Sequence, residues 1–259
     1  MKIHEFGRKD MPVVVMIHGE FMSWDMLGGA IKLLAERFHV LAVGVPGHDT
    51  SSKDSFTSVE NIAARVELTL VQFGAAKIDL LYGLSMGGAI AVRMLADAQL
   101  HIRHAVIDGG TCPYDVPWVV SRLMLSKDGA AAKKLRNDVA ALETAYPPER
   151  YGDSFTDGVY NVLREMTDEE AERIAVSMRD YPMPSKFPKI GTWIEYWYGS
   201  DEEDERRADA EYMRKHVPNT TLRRIDGMAH GQYVVSCPES FANDITAIIE
   251  KHRKSPFAD

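Results

Sequence analysis

A chain of 259 residues is long enough for one large α/β domain or two small ones. Its hydrophobic share of 45% and charged share of 26% are those of an ordinary globular protein, and a formal net charge of −8 argues against nucleic-acid or anionic-membrane partners. Two cysteines, Cys112 and Cys237, stand in neither a metal nor a redox spacing, and the apolar run 11–17 is short and broken by Pro12. No disulfide framework, signal peptide or membrane span is therefore expected, and the expected location is cytoplasmic.

In chain order, the first half alternates short apolar runs with amphipathic stretches, the pattern of βα units on a parallel sheet. Val13–Ile17 reads as a buried strand, followed by a helix over 26–37 and a second strand over 40–45. The next helix opens at Thr57, where Glu60 completes a capping box, and Ile62, Val66 and Leu70 turn one face to the sheet. A strand over 78–82 leads into a glycine-rich turn and a helix through Met94; 105–108 is a further strand.

From Thr111 to Lys189 the alternation stops. Prolines divide this stretch, and helical spacing appears at Leu135, Val139 and Leu142, and again at Val159, Leu163 and Met166. Thr167 with Glu170 caps another helix, bearing Ile174 and Met178. The expectation is a helical insertion, acting either as plain packing or as a mobile lid. Strand patterns resume over 192–198 and 221–225, with a helix over 207–216 between them. A last helix begins near Ser236, with Pro238 in its first turn, Glu239 completing a capping box, and Phe241, Ile245 and Ile248 on one face.

Gly83-Leu84-Ser85-Met86-Gly87 fits the G-x-S-x-G turn between strand and helix. Such a turn holds its middle residue at a strained backbone angle, and the residues two before and two after approach so closely that side chains there would clash. Ser85 is then lifted into the open at a helix N-terminus. The backbone N–H of Met86 points toward the same space, where it can bind a developing oxyanion.

His18-Gly19-Glu20, Pro46-Gly47-His48, 83–88 and Gly227-Met228-Ala229-His230-Gly231 occur in the order seen across the α/β-hydrolase superfamily. Nearly the whole chain resembles its compact, lidded esterase and lipase branch. The resemblance implies an α/β-hydrolase fold: a mostly parallel sheet of six to eight strands with helices on both faces. It assigns residues 1–110 and 190–259 to the core and 111–189 to a helical lid. Asp49 departs from the usual second glycine after Pro-Gly-His, and an early His18 leaves room for only one strand, Lys2–Phe6, before it.

Of nine histidines, His230 sits in a glycine-flanked turn after a strand and before a helix, where the elbow serine also lies in this fold. It is the expected base for a Ser85 nucleophile. The order serine, acid, histidine puts the acid between Ser85 and His230. The family's acid stands three residues past a glycine such as Gly199, which selects Glu202. Asp201 beside it and Asp108 at the end of its strand remain alternates. The resemblance places a second oxyanion donor at the backbone N–H of Glu20, and Phe21 and Trp24 are candidates for an acyl pocket, or for plain core. The expected activity is hydrolysis of a small-molecule carboxylic ester with neither metal nor organic cofactor. The same residues would also suit a carbon–carbon bond hydrolase, a thioesterase, or a non-catalytic ligand-binding member of the fold.

Overall fold

The computed structural model describes residues 1–49, 54–113, 130–131 and 133–251. Its strands are β1 (Lys2–Phe6), β2 (Val13–Ile17), β3 (His39–Gly44), β4 (Lys77–Leu84), β5 (His101–Asp108), β6 (Trp193–Gly199) and β7 (Thr220–Ile225). They form one sheet in the order β1-β3-β2-β4-β5-β6-β7, in which only β1 runs antiparallel to its neighbour. The helices are α1 (Gly28–Leu34), α2 (Val59–Gln72), α3 (Met86–Asp97), α4 (Val139–Ala145), α5 (Pro148–Tyr151), α6 (Asp153–Glu165), α7 (Asp168–Arg179), α8 (Glu203–His216), α9 (Gln232–Ser236) and α10 (Pro238–Lys251).

The inner strands read as unbroken apolar runs because both faces of the sheet are covered. Val14, Val15, Met16 and Ile17 of β2 are fully buried, as are Leu80, Leu81 and Tyr82 of β4. On one face the ring of Tyr82 meets Phe241 of α10 edge-on, centroids 4.9 Å apart. On the other, α2 buries Ile62, Val66 and Leu70 beside α3. The parallel register aligns Leu84 of β4 with Asp108 of β5, and Asp108 with Trp197 of β6. The turns after these strands therefore open at one edge of the sheet, where open α/β sheets place their sites.

Two helix starts differ from expectation. The first turn of α2 is capped by Ser58, not Thr57: the extended backbone of Ser58 lets its hydroxyl accept the Asn61 N–H at 3.3 Å. The Thr57 hydroxyl bonds the Asn61 side chain instead. At the C-terminal end, Ser236 closes the short α9 and its hydroxyl donates to the Arg150 carbonyl. Cys237 leaves helical angles before Pro238, as the residue preceding a proline tends to. Ile249, not Ile248, joins Phe241 and Ile245 on the buried face.

Among the described residues no strand lies between β5 and β6, and helices α4 to α7 occupy that stretch. Residues 114–129 and 132 of the expected insertion, and 50–53 and 252–259 of the expected core, lie outside the described residues. The capping box at Thr167 forms as expected, with the Glu170 N–H on the Thr167 hydroxyl and the Thr167 N–H on the Glu170 carboxylate, both at 3.1 Å. Val159, Leu163 and Ile174 fill the interior of this layer.

Candidate active site

The turn after β4 shows the strain expected of it. Ser85 sits at φ 53°, ψ −113°, a conformation that L residues rarely hold. A Cβ on Gly83 would lie 2.3 Å from the Gly87 carbonyl oxygen, and one on Gly87 would lie 2.3 Å from that of Ile17. Only glycine lets β2, β4 and α3 meet so closely. The Ser85 N–H is tied to the Asp108 carbonyl at 2.8 Å, and its own carbonyl accepts the Ala89 N–H at 3.0 Å to start α3. Met86 is the first residue of that helix, so its N–H has no intrahelical acceptor.

His230 stands in the turn between β7 and α9. Its Nδ1 lies 2.6 Å from Glu202 Oε2, a short charge-assisted contact. Glu202 is 4% exposed, and its Oε1 accepts the Gly199 N–H at 3.1 Å. Burial alone would push its carboxyl up. His230, the Gly199 amide and Arg206 together outweigh that and hold it below the ordinary carboxylate range. With Nδ1 turned to Glu202, Nε2 is the ring nitrogen left for Ser85's side.

The other two acid candidates stand elsewhere. Asp201 faces solvent and pairs with Arg150 at 2.7 Å, which lowers its titration. Asp108 is buried behind the His230 ring and accepts the Tyr82 hydroxyl at 2.7 Å. Burial raises Asp108 to about 7; Tyr82 opposes the rise, Glu202 adds to it and His230 opposes it.

Ser85 and His230 line one cavity of about 190 Å³, together with Glu20 and Phe21 from the loop after β2. The two side chains border the same cavity without a hydrogen bond between them. Catalytic hydrogen bonds of this kind commonly tighten only when substrate is bound. Leu135, Ala175 and Met178 of the segment between β5 and β6 form the opposite wall. Phe21 thus borders the cavity, and at φ 60° it is a second strained residue beside it. Trp24 does not follow it. Its ring stacks on His4 at 4.0 Å and packs against Phe6, because the turn over 24–27 carries it back onto β1.

The Gly19-Glu20 loop is pinned by His18. This fully buried ring accepts the Val45 N–H at Nε2 (3.1 Å), so its Nδ1–H donates to the Gly19 carbonyl at 2.9 Å. Burial lowers its titration to about 4, so at neutral pH it is an uncharged brace. Asp49, the departure in the neighbouring loop, is buried and bonds His4 at 2.9 Å, tying that loop to β1.

Several contributors escaped the sequence reading. Arg206 lies 3.4 Å from Glu202, one helical turn on, a spacing that four-residue charge pairing could have flagged. Tyr151 donates to the His230 carbonyl at 2.8 Å across 79 positions, with no local signal. Among the described residues no group of three or more His, Cys, Asp or Glu is arranged to hold a metal ion, and no helix is long and apolar enough to cross a membrane.

Residues 14–244 match the model of the alpha/beta hydrolase family, and the chain belongs to that family. It is similar to a monoacylglycerol lipase of Xenopus laevis, 28% identical over 119 residues that make up 45% of this chain and 34% of that protein. It is equally similar to a 2-succinyl-6-hydroxy-2,4-cyclohexadiene-1-carboxylate synthase of Serratia proteamaculans, 28% identical over 146 residues, 54% of each chain. The matched stretches thus span about a third to just over half of these relatives. An alpha/beta hydrolase family protein from Desulfitobacterium hafniense shares the fold, with a TM-score of 0.78 at 18% identity over 96% of this chain and 100% of that one.

Proposed function

We propose that this chain hydrolyses small-molecule carboxylic esters through a covalent intermediate on Ser85. His230 serves as general base, Glu202 as the acid that orients it, and the backbone amides of Glu20 and Met86 as the oxyanion donors. The observation that carries this reading is the 2.6 Å contact between the buried Glu202 carboxylate and His230 Nδ1, with Ser85 in the wall of the same cavity. The lipase among the relatives supports it.

In the first half-reaction Ser85 Oγ attacks the ester carbonyl as His230 Nε2 takes its proton. Glu202 fixes the imidazole and stabilises its charged form. The tetrahedral oxyanion collapses, the C–O bond to the alcohol breaks, and His230 returns its proton to the departing oxygen. Water then repeats the sequence on the acyl-enzyme and releases the acid. Each oxyanion amide supplies about 3–4 kcal/mol to such a step, by analogy with measured donor removals. The described helices between β5 and β6, α4 to α7, would serve as the lid, with Leu135, Ala175 and Met178 of that segment at the cavity. The two cysteines, free of any disulfide, fit a reducing compartment such as the cytoplasm.

Changing Ser85 to alanine is expected to abolish p-nitrophenyl ester hydrolysis and labelling by a fluorophosphonate. A variant that kept near-full turnover would refute the assignment. The synthase among the relatives supports a second reading, in which Ser85 and His230 act on a substrate other than an ester. Brisk fluorophosphonate labelling of Ser85, with no turnover across acyl chain lengths and aromatic esters, would select it.

A further inference from the structure

We propose that Arg206 is a positioning residue for Glu202, set in place by Asp209, so that a four-member chain of alternating charge runs from His230 into α8. The proposal rests on the hydrolase reading above for its catalytic meaning. From the base inward, His230 Nδ1 meets Glu202 Oε2 at 2.6 Å, Glu202 Oε2 faces Arg206 Nε at 3.4 Å, and Arg206 Nη1 donates to Asp209 Oδ2 at 3.1 Å. Asp209 accepts the Cys112 N–H at 2.8 Å, which ties the chain to the segment leaving β5.

Asp209 is 1% exposed, and the Arg206 side chain, 17% exposed, borders the cavity that holds Ser85 and His230. Neither makes sense as ordinary surface decoration of α8. Arg206 also donates from Nη1 to the Gly109 carbonyl at 3.3 Å, beside the His230 ring. Its Nε–H, by contrast, is buried without a hydrogen-bond acceptor, because the contact with Glu202 lacks hydrogen-bond geometry. A buried donor in that state costs free energy until an acceptor reaches it. Glu202 Oε2, the oxygen that meets Nδ1, is also the one that this donor faces, so Arg206 attracts the carboxylate through the same atom. Arg206 therefore favours the carboxylate position that pairs with the ring. Its planar guanidinium fork faces Glu202 with Nε while Nη1 donates to Asp209, an arrangement that a lysine ammonium does not reproduce.

The charge sequence predicts opposite effects from its two inner members. Arg206 is a cation two contacts from the ring, so its removal eases protonation of His230. Asp209 neutralises Arg206, so removing its charge leaves the cation unopposed and hinders that protonation. Other titratable or charged groups face the pair from every side and stay in place in the variants. Asp108 of β5 and Tyr82 of β4 lie behind the ring, and Tyr151 of α5 holds its backbone. Glu20 and Arg179 stand in the cavity wall, while Tyr196 of β6 and Glu205 flank Arg206.

The test is an NMR titration of the His230 ring, assigned with a His230→Gln control, in the wild type, Arg206→Met, Asp209→Asn and the double variant. Relative to wild type, the midpoint is expected to rise by about half a pH unit in Arg206→Met and to fall by a similar amount in Asp209→Asn. The double variant should return near the starting value. The acidic limb of kcat/KM against pH should move the same way. Arg206→Lys, which keeps the charge and loses the fork, should hold the midpoint while kcat drops roughly ten-fold. Midpoints that stay put, or that move together in one direction, overturn the proposal and leave the pair a structural brace. If Arg206→Met does not fold, Asp209→Asn alone decides by the same criterion. Because the titration needs no turnover, loss of the ester-hydrolase reading would show separately, as wild-type protein inert to esters and to fluorophosphonate.

Discussion

Gly109 follows β5 at φ +58°, and a Cβ built there would lie 2.7 Å from His230 Cε1 and 2.8 Å from Nδ1. Those distances fall roughly 0.7–0.8 Å short of ordinary carbon contact. The Gly109 backbone is held on both sides, its N–H on the Trp197 carbonyl at 2.8 Å and its carbonyl on Arg206 at 3.3 Å, so the ring must yield. A shift of that size away from Gly109 stretches the 2.6 Å contact with Glu202 to the limit of a hydrogen bond. Gly109→Ala is therefore expected to lower kcat about 10- to 100-fold, the scale of a displacement approaching 1 Å at reacting groups. The backbone also loses about 1 kcal/mol, since alanine is strained at positive φ, lowering Tm by about 2–4 °C. Gly74 separates the two effects. It sits at φ +82° with nothing within 4 Å of its Cβ position, so Gly74→Ala carries the strain without the collision. Ester turnover and thermal melts of both variants form the assay. Equal turnover in the two, with equal Tm loss, would refute the claim that the His230 ring occupies the space above Gly109.

Glu202→Gln keeps the side chain's size but removes the charge facing His230, and kcat should fall about 10³- to 10⁴-fold, as in comparable triads; a loss under ten-fold in steady-state kinetics would point to another acid. Tyr151→Phe deletes the donor to the His230 carbonyl. Urea melts should show about 1 kcal/mol lost and kcat a few-fold down, whereas unchanged values in both would mean the contact carries nothing. Asp108 has its titration raised by burial to about 7, so the folded state binds a proton more tightly than the unfolded one. Its contribution to stability is thus complete below the ordinary aspartate value of 3.8 and is lost as pH rises to about 7. The Asp108→Asn variant, which can still accept from Tyr82, should gain Tm over wild type progressively across that window and level off above it. Melts at fixed ionic strength check this, and a gain that shrank with rising pH would contradict it. Glu67, raised to about 7 by burial and by Asp97, adds a slope of the same sign that the variant leaves in place.

How much of this was legible in the sequence follows from the range of the interactions. Val13–Ile17 and the runs of β4 and β5 are apolar on both faces, so composition alone marks them as inner strands of a covered sheet. The elbow was legible because its glycines answer a local steric demand within five residues. His230 was singled out by its glycine-flanked turn, and Glu202 only through the family resemblance, three residues past Gly199, with Asp201 and Asp108 left open beside it. The two helix starts that differ were short-range choices between adjacent hydroxyls, or were overridden by Pro238 and by a long-range acceptor at Arg150. Trp24 was ambiguous for a different reason. Its neighbour Phe21 and it share one loop, and only the direction of the turn at 24–27 decides which ring meets the cavity and which meets β1. Tyr151 could not be read at all, since its partner is 79 positions away, and for Asp209 only the i,i+3 pairing with Arg206 was local, the Cys112 amide being 97 positions away.

Those distant partners bear on what the segment between β5 and β6 can do. Its described helices are held to the rest of the molecule by both hydrogen bonds and packing. Arg150 and Tyr151 of α5 are clamped to the base loop: Arg150 bonds Asp201 at 2.7 Å and the Gly227 carbonyl at 3.1 Å, and its own carbonyl accepts from Gln232 and Ser236. Tyr151 adds the bond to His230 itself. Moving α5 would break five hydrogen bonds and release the His230 backbone, so α5 belongs with the rigid frame. Leu135, Ala175 and Met178 meet the cavity through apolar side chains, beside Arg179 of the same segment. Apolar contacts are non-directional and exchange one partner for another at little cost, whereas hydrogen bonds are lost outright. α7 is tied down as well, its Ser177 hydroxyl accepting the Val59 N–H at 2.7 Å and its Arg173 donating to the Phe56 carbonyl at 3.1 Å, so α5 and α7 are both anchored by directional bonds as well as by packing.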